Sequence, residues 1–477
     1  MSLIRKNFIY NNLLGFTNVL TPLIIFPYIS RTIEPQGVGI VSFAISLTSI
    51  FVILGSLGIP IYGIREIAVS KDSEEKLSKT FSEIFIIQLY WLLVILIFYS
   101  IWIYFSGTFS YNPFLKVASY LYIIALTGTV NWFFQGIENY RLLAQLNIIS
   151  KIIMIALVFL LIKSKEDYWL YYCVIVLTLL LNAFFILLKV FRIVKFSFKN
   201  LNLKRHIKGI GILFSTQIAI GIYINLDIIF LNYFSNTTEV GFYSAANKVI
   251  KIFLLIITSL STVLIPKISQ YIEKNRKEEA ILTIEKSMNF ILFLGCPSIV
   301  LITMLAPEII YVFAGDEFRF SSLLVQFLVP LLLLIGLSNI FGLQILVPFR
   351  EEKKLMFAVL LGAIVSILLN VTLVPRWYSF GTTFALLFTE LVITVLTFFY
   401  AKKIIDFNMP IKLFLKYLVG SLIFIPIYFL FKIFFKQEAL LLATGITSLS
   451  VYFSVLYLVK DPFFIKSFLN PVLKKIK

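Results

Sequence analysis

The sequence predicts an all-α integral membrane protein. About fourteen transmembrane helices are expected, as two six-helix lobes related by a pseudo-twofold axis along the membrane normal around a central cavity. Two extra helices follow at the C-terminal end. Three observations lead there. Of the 477 residues, 60% are hydrophobic and only 14% are charged, against roughly 25% charged in soluble domains, so lipid must be the main solvent. Apolar runs long enough to span a bilayer recur between short polar joints. The phrase "VGIVSFA" at 38–44 returns as "VGFYSAA" at 240–246, 202 residues later.

A spanning helix needs about 20 mostly apolar residues. The qualifying runs are 8–30, 40–64, 83–105, 114–136, 142–162, 168–188, 209–233, 241–265, 287–306, 321–347, 355–375, 380–400, 416–435 and 439–459. Between them lie joints such as "EPQG", "SYNP", "SNTTEVG" and "PRWYSFG". The runs are too long for barrel strands and do not alternate as those must. The basic opening "MSLIRKNFIYNNLLGF" lacks a small-residue cleavage site, so the first run reads as an uncleaved helix. The cysteines, Cys173 and Cys296, sit inside apolar runs and do not support a disulfide framework.

Lys and Arg positions test the count. With the N-terminus inside, 31 of the 42 fall in inner segments, 8 in outer segments and 3 within the runs. That excess fits the positive-inside rule and predicts a multi-pass membrane protein with both termini cytoplasmic. The formal charge of +18 is then topology and attraction to anionic headgroups, not nucleic-acid binding.

The two copies of the repeated phrase open the second and eighth runs, each on the outer side. Six spans separate them, so both have the same orientation and the repeat is parallel. The expected division is an N-lobe at 1–208, a C-lobe at 209–403, and the last two spans with a cytoplasmic tail at 404–477. Twin lobes around a cavity form a transporter architecture.

Other classes lose ground. The longest inner connections, near 189–208 and 266–286, are too short for a catalytic or nucleotide-binding domain. No phosphate loop is present. The single histidine, His206, excludes a two-histidine zinc motif and reads as a solvated loop residue. Neither enzymatic activity, a cofactor nor a metal is expected.

Charges inside the runs are the candidate functional residues, because each costs at least ~2.5–3.5 kcal/mol at the bilayer centre. Lys151 lies near the middle of the fifth run. Asp227 lies in the outer part of the seventh, Lys248 and Lys251 in the outer half of the eighth, and Glu390 near the middle of the twelfth. Lys248 and Lys251 share one helix face. An Asp227–Lys248 ion pair competes with a cavity role for both. Lys248 could also snorkel to the headgroups. Lys151 is too central to snorkel and is expected to line a cavity. Glu390 could couple a cation or make an interhelical bond. Three positive charges against two negative suit an anionic substrate such as a diphosphate. Amides recur as well, among them Asn7, Asn11, Asn12, Asn18, Asn131, Gln217, Asn225 and Asn370, as helix–helix glue or as groups for sugar hydroxyls.

"NNLLGFTNVLTPLIIFPYISRTIEPQGVGIVSFAISL" followed by "GIPIYGIREIA", "NWFFQGIENYR" at 131–141 and "NLDIIFLNYFSNTTEVGFYSAANKV" at 225–249 resemble bacterial polysaccharide-repeat flippases of the O-antigen type. These form the polysaccharide transporter family of the multidrug/oligosaccharidyl-lipid/polysaccharide exporter superfamily. The resemblance covers essentially the whole chain. It implies an undecaprenyl-diphosphate-linked oligosaccharide as substrate, turned from the inner to the outer leaflet by alternating access. It also implies membrane lipids, a coupling ion (proton or sodium) and polysaccharide assembly proteins as partners. Carried over by motif, Asp227 and Lys248 match family charged positions. Arg31 matches the basic residue closing the first span, and Arg65 with Glu66 the pair closing the second. Gln135, Gly136 and Glu138 match the fourth-span motif. Two readings compete with a flippase: an ion-coupled multidrug exporter of the same superfamily, and a membrane-embedded repeat-unit polymerase, which should carry larger outer loops than these.

Overall fold

The computed structural model describes residues 3–197 and 201–465. Among them there is helix and no strand. Packing divides the chain into two compact units, Met1–Gly241 and Phe242–Lys477. The first holds α1 (Leu3–Ser56), α2 (Ile59–Ser70), α3 (Glu74–Ser106), α4 (Pro113–Thr127), α5 (Asn131–Gly136), α6 (Tyr140–Leu161), α7 (Tyr168–Phe191), α8 (Lys204–Phe234) and the first residues of α9 (Thr237–Glu273). The second holds the rest of α9, α10 (Lys277–Ala314), α11 (Ser321–Leu328), α12 (Leu331–Asn339), α13 (Glu352–Lys402), α14 (Ile411–Ser421), α15 (Phe424–Phe434), α16 (Gln437–Leu458) and α17 (Pro462–Phe464). Each of the expected apolar runs falls within one or two of these helices, except 321–347, which passes through α11, α12 and a π-helical stretch at Ile340–Leu346. Among the described residues, eleven segments are long and apolar enough to cross a membrane.

Two of those segments hold two expected runs each, and each contains a break. Glu34 has φ 60°, ψ 176°. It precedes Pro35, and a proline disfavours helical geometry in the residue before it. Tyr378 breaks α13 with φ 46°, ψ −124°. The chain turns back there. A Cβ on Gly381 would lie 2.6 Å from the carbonyl oxygen of Leu373, whereas eight residues of straight helix span ~12 Å.

Helix ends follow local chemistry. Ser73 caps α3 by accepting from the Lys76 amide, with Glu74 and Glu75 in the first turn, where acidic groups suit the helix dipole. Asn112 caps α4, accepting from the Phe114 and Leu115 amides, and Pro113 opens that helix. Asn139 caps α6 through the Leu142 amide.

The first unit has two buried clusters. One joins Tyr62, Phe81, Trp132 and Phe133 where α2, α3 and α5 meet. The other joins Ala44, Tyr99, Tyr122 and Tyr172 across α1, α3, α4 and α7. The second unit packs α10 against α14 and α16 through Phe293, Tyr417 and Tyr452. Large apolar side chains such as Phe98, Phe105, Ile433 and Ile446 are exposed, as expected where the solvent is lipid. Cys173 and Cys296 are free thiols.

The first unit takes in α8 because α8 packs on α1 and α2. A Cβ on Gly221 would lie 2.6 Å from Ile53, and one on Gly209 would lie 2.4 Å from Tyr62. The repeated phrase has a direct structural use at the other end of this unit. A Cβ on Gly39 would lie 1.6 Å from the Thr237 carbonyl oxygen, and one on Gly241 would lie 2.0 Å from that of Pro35. Residues 35 and 237, like 39 and 241, are 202 apart in the chain. Each copy's glycine thus admits the backbone that leads into the other copy, at a distance no side chain permits.

Candidate translocation site

Lys151 sits at the middle of α6 and is half-buried. Among the described residues its ammonium makes no hydrogen bond or ion pair. Its neighbours along α6 are engaged elsewhere: Thr17 donates to the Asn147 side chain at 3.1 Å, and Asn182 on α7 donates to Ser150 at 3.1 Å. A solitary ammonium at mid-helix is costly in hydrocarbon and acceptable beside water or an anion.

Asp227 is buried on α8, 5% exposed. It belongs to the first unit, whereas Lys248 and Lys251 belong to the second. Lys248 is half-buried and Lys251 exposed, one turn apart on α9. Glu390 is buried on α13, 9% exposed. Its carbonyl accepts from Thr394, which also donates to Leu334 at 3.0 Å and so ties α13 to α12. Arg31 is exposed and donates to the Pro27 carbonyl at 2.7 Å. Arg65, also exposed, stands 3.5 Å from Glu66. Two of the amides serve their own helices: Asn225 donates to Gly221 and Asn370 to Ser366. The side chains of Asn7, Asn11, Asn12 and Gln217 lie outside the described residues.

The fourth-span motif is a brace. Trp132 is buried and donates to Gln88 at 3.1 Å. Its ring fills the space over Gly63, where a Cβ would lie 2.5 Å away. A Cβ on Gly136 would lie 2.6 Å from Ile67. Glu138 accepts from Lys71 at 2.8 Å. Each of these contacts joins the α5 segment to α2 or α3. The half-buried Gln135 sits within the same segment.

Sequence reasoning missed one polar cluster and misread its histidine. His206 is fully buried, not solvated. Its Nε2 lies 2.9 Å from Glu83 Oε2, and its Nδ1 lies 2.8 Å from the Tyr62 hydroxyl. Glu83, also fully buried, accepts from Arg205 at 2.6 Å and from the Asn202 amide at 2.7 Å. The Lys195 amide donates to Ser78 and the Ser197 amide to Ser82. Residues 195–197 and 202–206 are thereby fastened along the start of α3. The overlooked signal was Glu83 itself, a carboxylate opening an apolar run in "FSEIFII". Burial and the nearby Arg205 hold the His206 imidazole below its ordinary pKa, against the opposing pull of Glu83. Among the groups brought together are Lys71 with Glu138, Arg65 with Glu66, and the Glu83 cluster.

Comparison with known proteins places this geometry. The profile of the family described as "Polysaccharide biosynthesis protein" matches residues 4–272, and the MatE profile matches residues 213–372. A "Putative O-antigen transporter" of Escherichia coli (strain K12) is 25% identical over 409 residues, covering 84% of this chain and 97% of that protein. The fold is similar to that of "Lipid II flippase MurJ, inward closed conformation", with TM-score 0.72 and 18% identity over 96% of this chain and 99% of that one. It is also similar to an inward-facing multidrug resistance MATE family transporter, with TM-score 0.65 and 12% identity over 82% and 94%. The fold is thus one that these transporters use. On the profile match, which covers more than half of its length, this multi-pass membrane chain belongs to the polysaccharide biosynthesis protein family.

Proposed function

We propose that this protein is a flippase. It turns an undecaprenyl-diphosphate-linked oligosaccharide repeat unit from the inner to the outer leaflet of the bacterial cytoplasmic membrane by alternating access. The observation that carries the reading is the likeness, along 84% of the chain, to a relative described as an O-antigen transporter. The half-buried Lys151 at mid-helix supports it, because a diphosphate crossing lipid needs a cationic, wet path. In this reading Lys151, Lys248 and Lys251 neutralise the diphosphate in transit. Arg31 and Arg65 meet it at the two membrane faces. Asp227 and Glu390 are the groups available to a coupling proton or sodium ion. An inside-negative potential favours anion exit by ~2.3 kcal/mol per charge per 100 mV, a gain that falls as protein lysines neutralise the moving charge. Both termini face the cytoplasm, and polysaccharide assembly proteins receive the product.

Two parallel six-helix lobes, at 1–208 and 209–403, carry the cycle, with 404–477 as an addition. The reciprocal contacts of Gly39 and Gly241 at the repeat spacing support this arrangement, since mutual packing of equivalent residues is what a twofold axis produces. In a clean deletion the lipid-linked unit should accumulate on the inner leaflet while polymer disappears. Normal outer-leaflet exposure in a strain with no second flippase would overturn the proposal. The MatE profile match favours one second reading, an ion-coupled multidrug exporter. Overexpression would then protect cells against cationic dyes, which a dedicated flippase does not do.

A further inference from the structure

A cavity of about 450 Å³ opens in the first unit where the α1 break, the α3–α4 loop, the α6–α7 loop and the start of α9 converge. That volume is in the range of small-molecule sites, ~300–1,000 Å³. Its chemistry is set by Glu34, Gln36, Tyr111, Lys165, Glu166 and Tyr168. We propose that this cavity binds an uncharged or amino-bearing saccharide, the glycan part of the unit the protein moves. The source of the glycan rests on the flippase reading; the saccharide chemistry does not.

The lining is rich in acceptors. Two carboxylates and an amide oxygen accept, while the Lys165 ammonium, the Gln36 amide N–H and the tyrosine hydroxyls donate, a mixture that a polyol matches because each hydroxyl does both. Among the described residues, the side chains of Glu34, Gln36, Lys165 and Glu166 make no hydrogen bond or ion pair with the protein. Two phenol rings supply flat apolar faces of the kind a sugar's C–H surface covers, with hydroxyls at their edges. Tyr111 is 63% exposed and available at the mouth. Phe114 and Trp169, each next to a cavity segment in sequence, stack at 4.5 Å. Two carboxylates against the one Lys165 ammonium leave the lining net negative, which disfavours a free phosphate or diphosphate, and the polar rim disfavours an apolar drug.

The cup is also held in shape. The Lys163 and Ser164 amides both donate to Asp167 at 2.8 Å, fixing the turn that carries Lys165 and Glu166. Asn112, beside Tyr111, caps α4. Glu34 is fixed in its non-helical geometry by the close approach of Gly37 to Ile33, where a Cβ would meet one at 2.9 Å. Polar groups held on capped helix ends are pre-organised, which lowers the entropic cost of binding. The positive-inside pattern puts this cavity on the outer side, where a delivered glycan emerges.

The test uses the full chain in nanodiscs with saturation-transfer NMR. The probes are neutral hexose and N-acetylhexosamine disaccharides, a uronic-acid disaccharide and inorganic diphosphate. The neutral sugars should receive transfer, the uronic acid at least fivefold less, and an excess of diphosphate, which has no C–H protons and is added as a competitor, should leave the sugar transfer within twofold. Tyr111→Ala and the double substitution Glu34→Gln/Glu166→Gln should each reduce sugar transfer at least fivefold. Tyr111→Phe, which keeps the ring, should stay within twofold and so separates binding from folding. No transfer to any sugar, or equal transfer in Tyr111→Ala and the wild type, overturns the proposal; the tyrosines then serve as membrane-interface anchors. If sugars bind here while deletion leaves the lipid-linked unit normally exposed, the flippase reading fails and the saccharide site stands.

Discussion

The two ends of the first unit are closed by different means. At the end carrying Gly39, backbones meet backbones: Gly39 against Thr237 and Gly241 against Pro35, with no room for a Cβ. At the end carrying Glu83, a buried carboxylate gathers Arg205, His206 and the Asn202 amide and fastens the segment before α8 onto α3. The first closure depends on shape and is indifferent to pH and salt. The second depends on charge and hydrogen bonding and responds to pH. One bundle can therefore hold one end by sterics while the other remains open to electrostatic adjustment.

The largest effect should come from the glycine end. Gly39→Val or Gly241→Val should abolish complementation of a deletion strain, because the backbones must separate to admit the side chain. Gly445→Ala, whose Cβ would meet nothing within 4 Å, should complement fully. If Gly39→Val complements, the shape closure is wrong.

Glu83→Ala comes next. It removes the acceptor shared by Arg205, His206 and Asn202. Loss of a buried hydrogen-bonding partner costs about 1–3 kcal/mol, the lower part applying here because Arg205 is partly exposed and water replaces some of what it loses. The melting temperature in detergent should fall while Gly39 variants remain separately defective. An unchanged melting temperature would mean that the cluster does not hold this end.

The same end should respond to pH. His206 precedes the apolar run of α8 and has a folded pKa below its ordinary value. Such a group binds protons better when unfolded, so its stabilising effect is full above about pH 6.5 and is lost as pH falls toward the folded value. The wild type should lose melting temperature between pH 8 and pH 5.5, and His206→Gln should flatten that slope. Equal slopes in the two proteins would remove His206 as the sensor. The smallest effect belongs to Lys71→Ala. Its pair with Glu138 is exposed on both sides, where solvent screens the attraction, so the melting temperature should fall only slightly. The loss should shrink further in high salt.

The helices were legible because hydrophobic length is a strong constraint: each run of about 20 apolar residues must be satisfied within itself. The break at Glu34 was legible as the joint "EPQG", since the residue before Pro35 resists helical geometry. The repeated phrase was legible as a repeat, but its role was not. That Gly39 meets the approach to Gly241 is a tertiary fact with no local signature. His206 was misread for a similar reason. Its neighbours Lys204, Arg205 and Lys208 look solvated in sequence, while its partner Glu83 lies 123 residues away. The motif residues Gly136 and Glu138 were legible only as a family match; their packing of α5 on α2 is a tertiary fact, and a pattern shared by a family records packing as readily as binding. Lys151 was legible as a charge near the middle of an apolar run, and it lies half-buried near the middle of α6.

The most direct test is reconstitution. Proteoliposomes are loaded with an undecaprenyl-diphosphate-linked oligosaccharide in one leaflet, and its appearance in the other is followed with an impermeant glycan-modifying enzyme. The account predicts that the wild-type protein speeds translocation well above protein-free vesicles and that Lys151→Ala slows it at least tenfold with Lys151→Arg retaining most of the rate. Translocation no faster than in protein-free vesicles, or equally fast with Lys151→Ala, would contradict it.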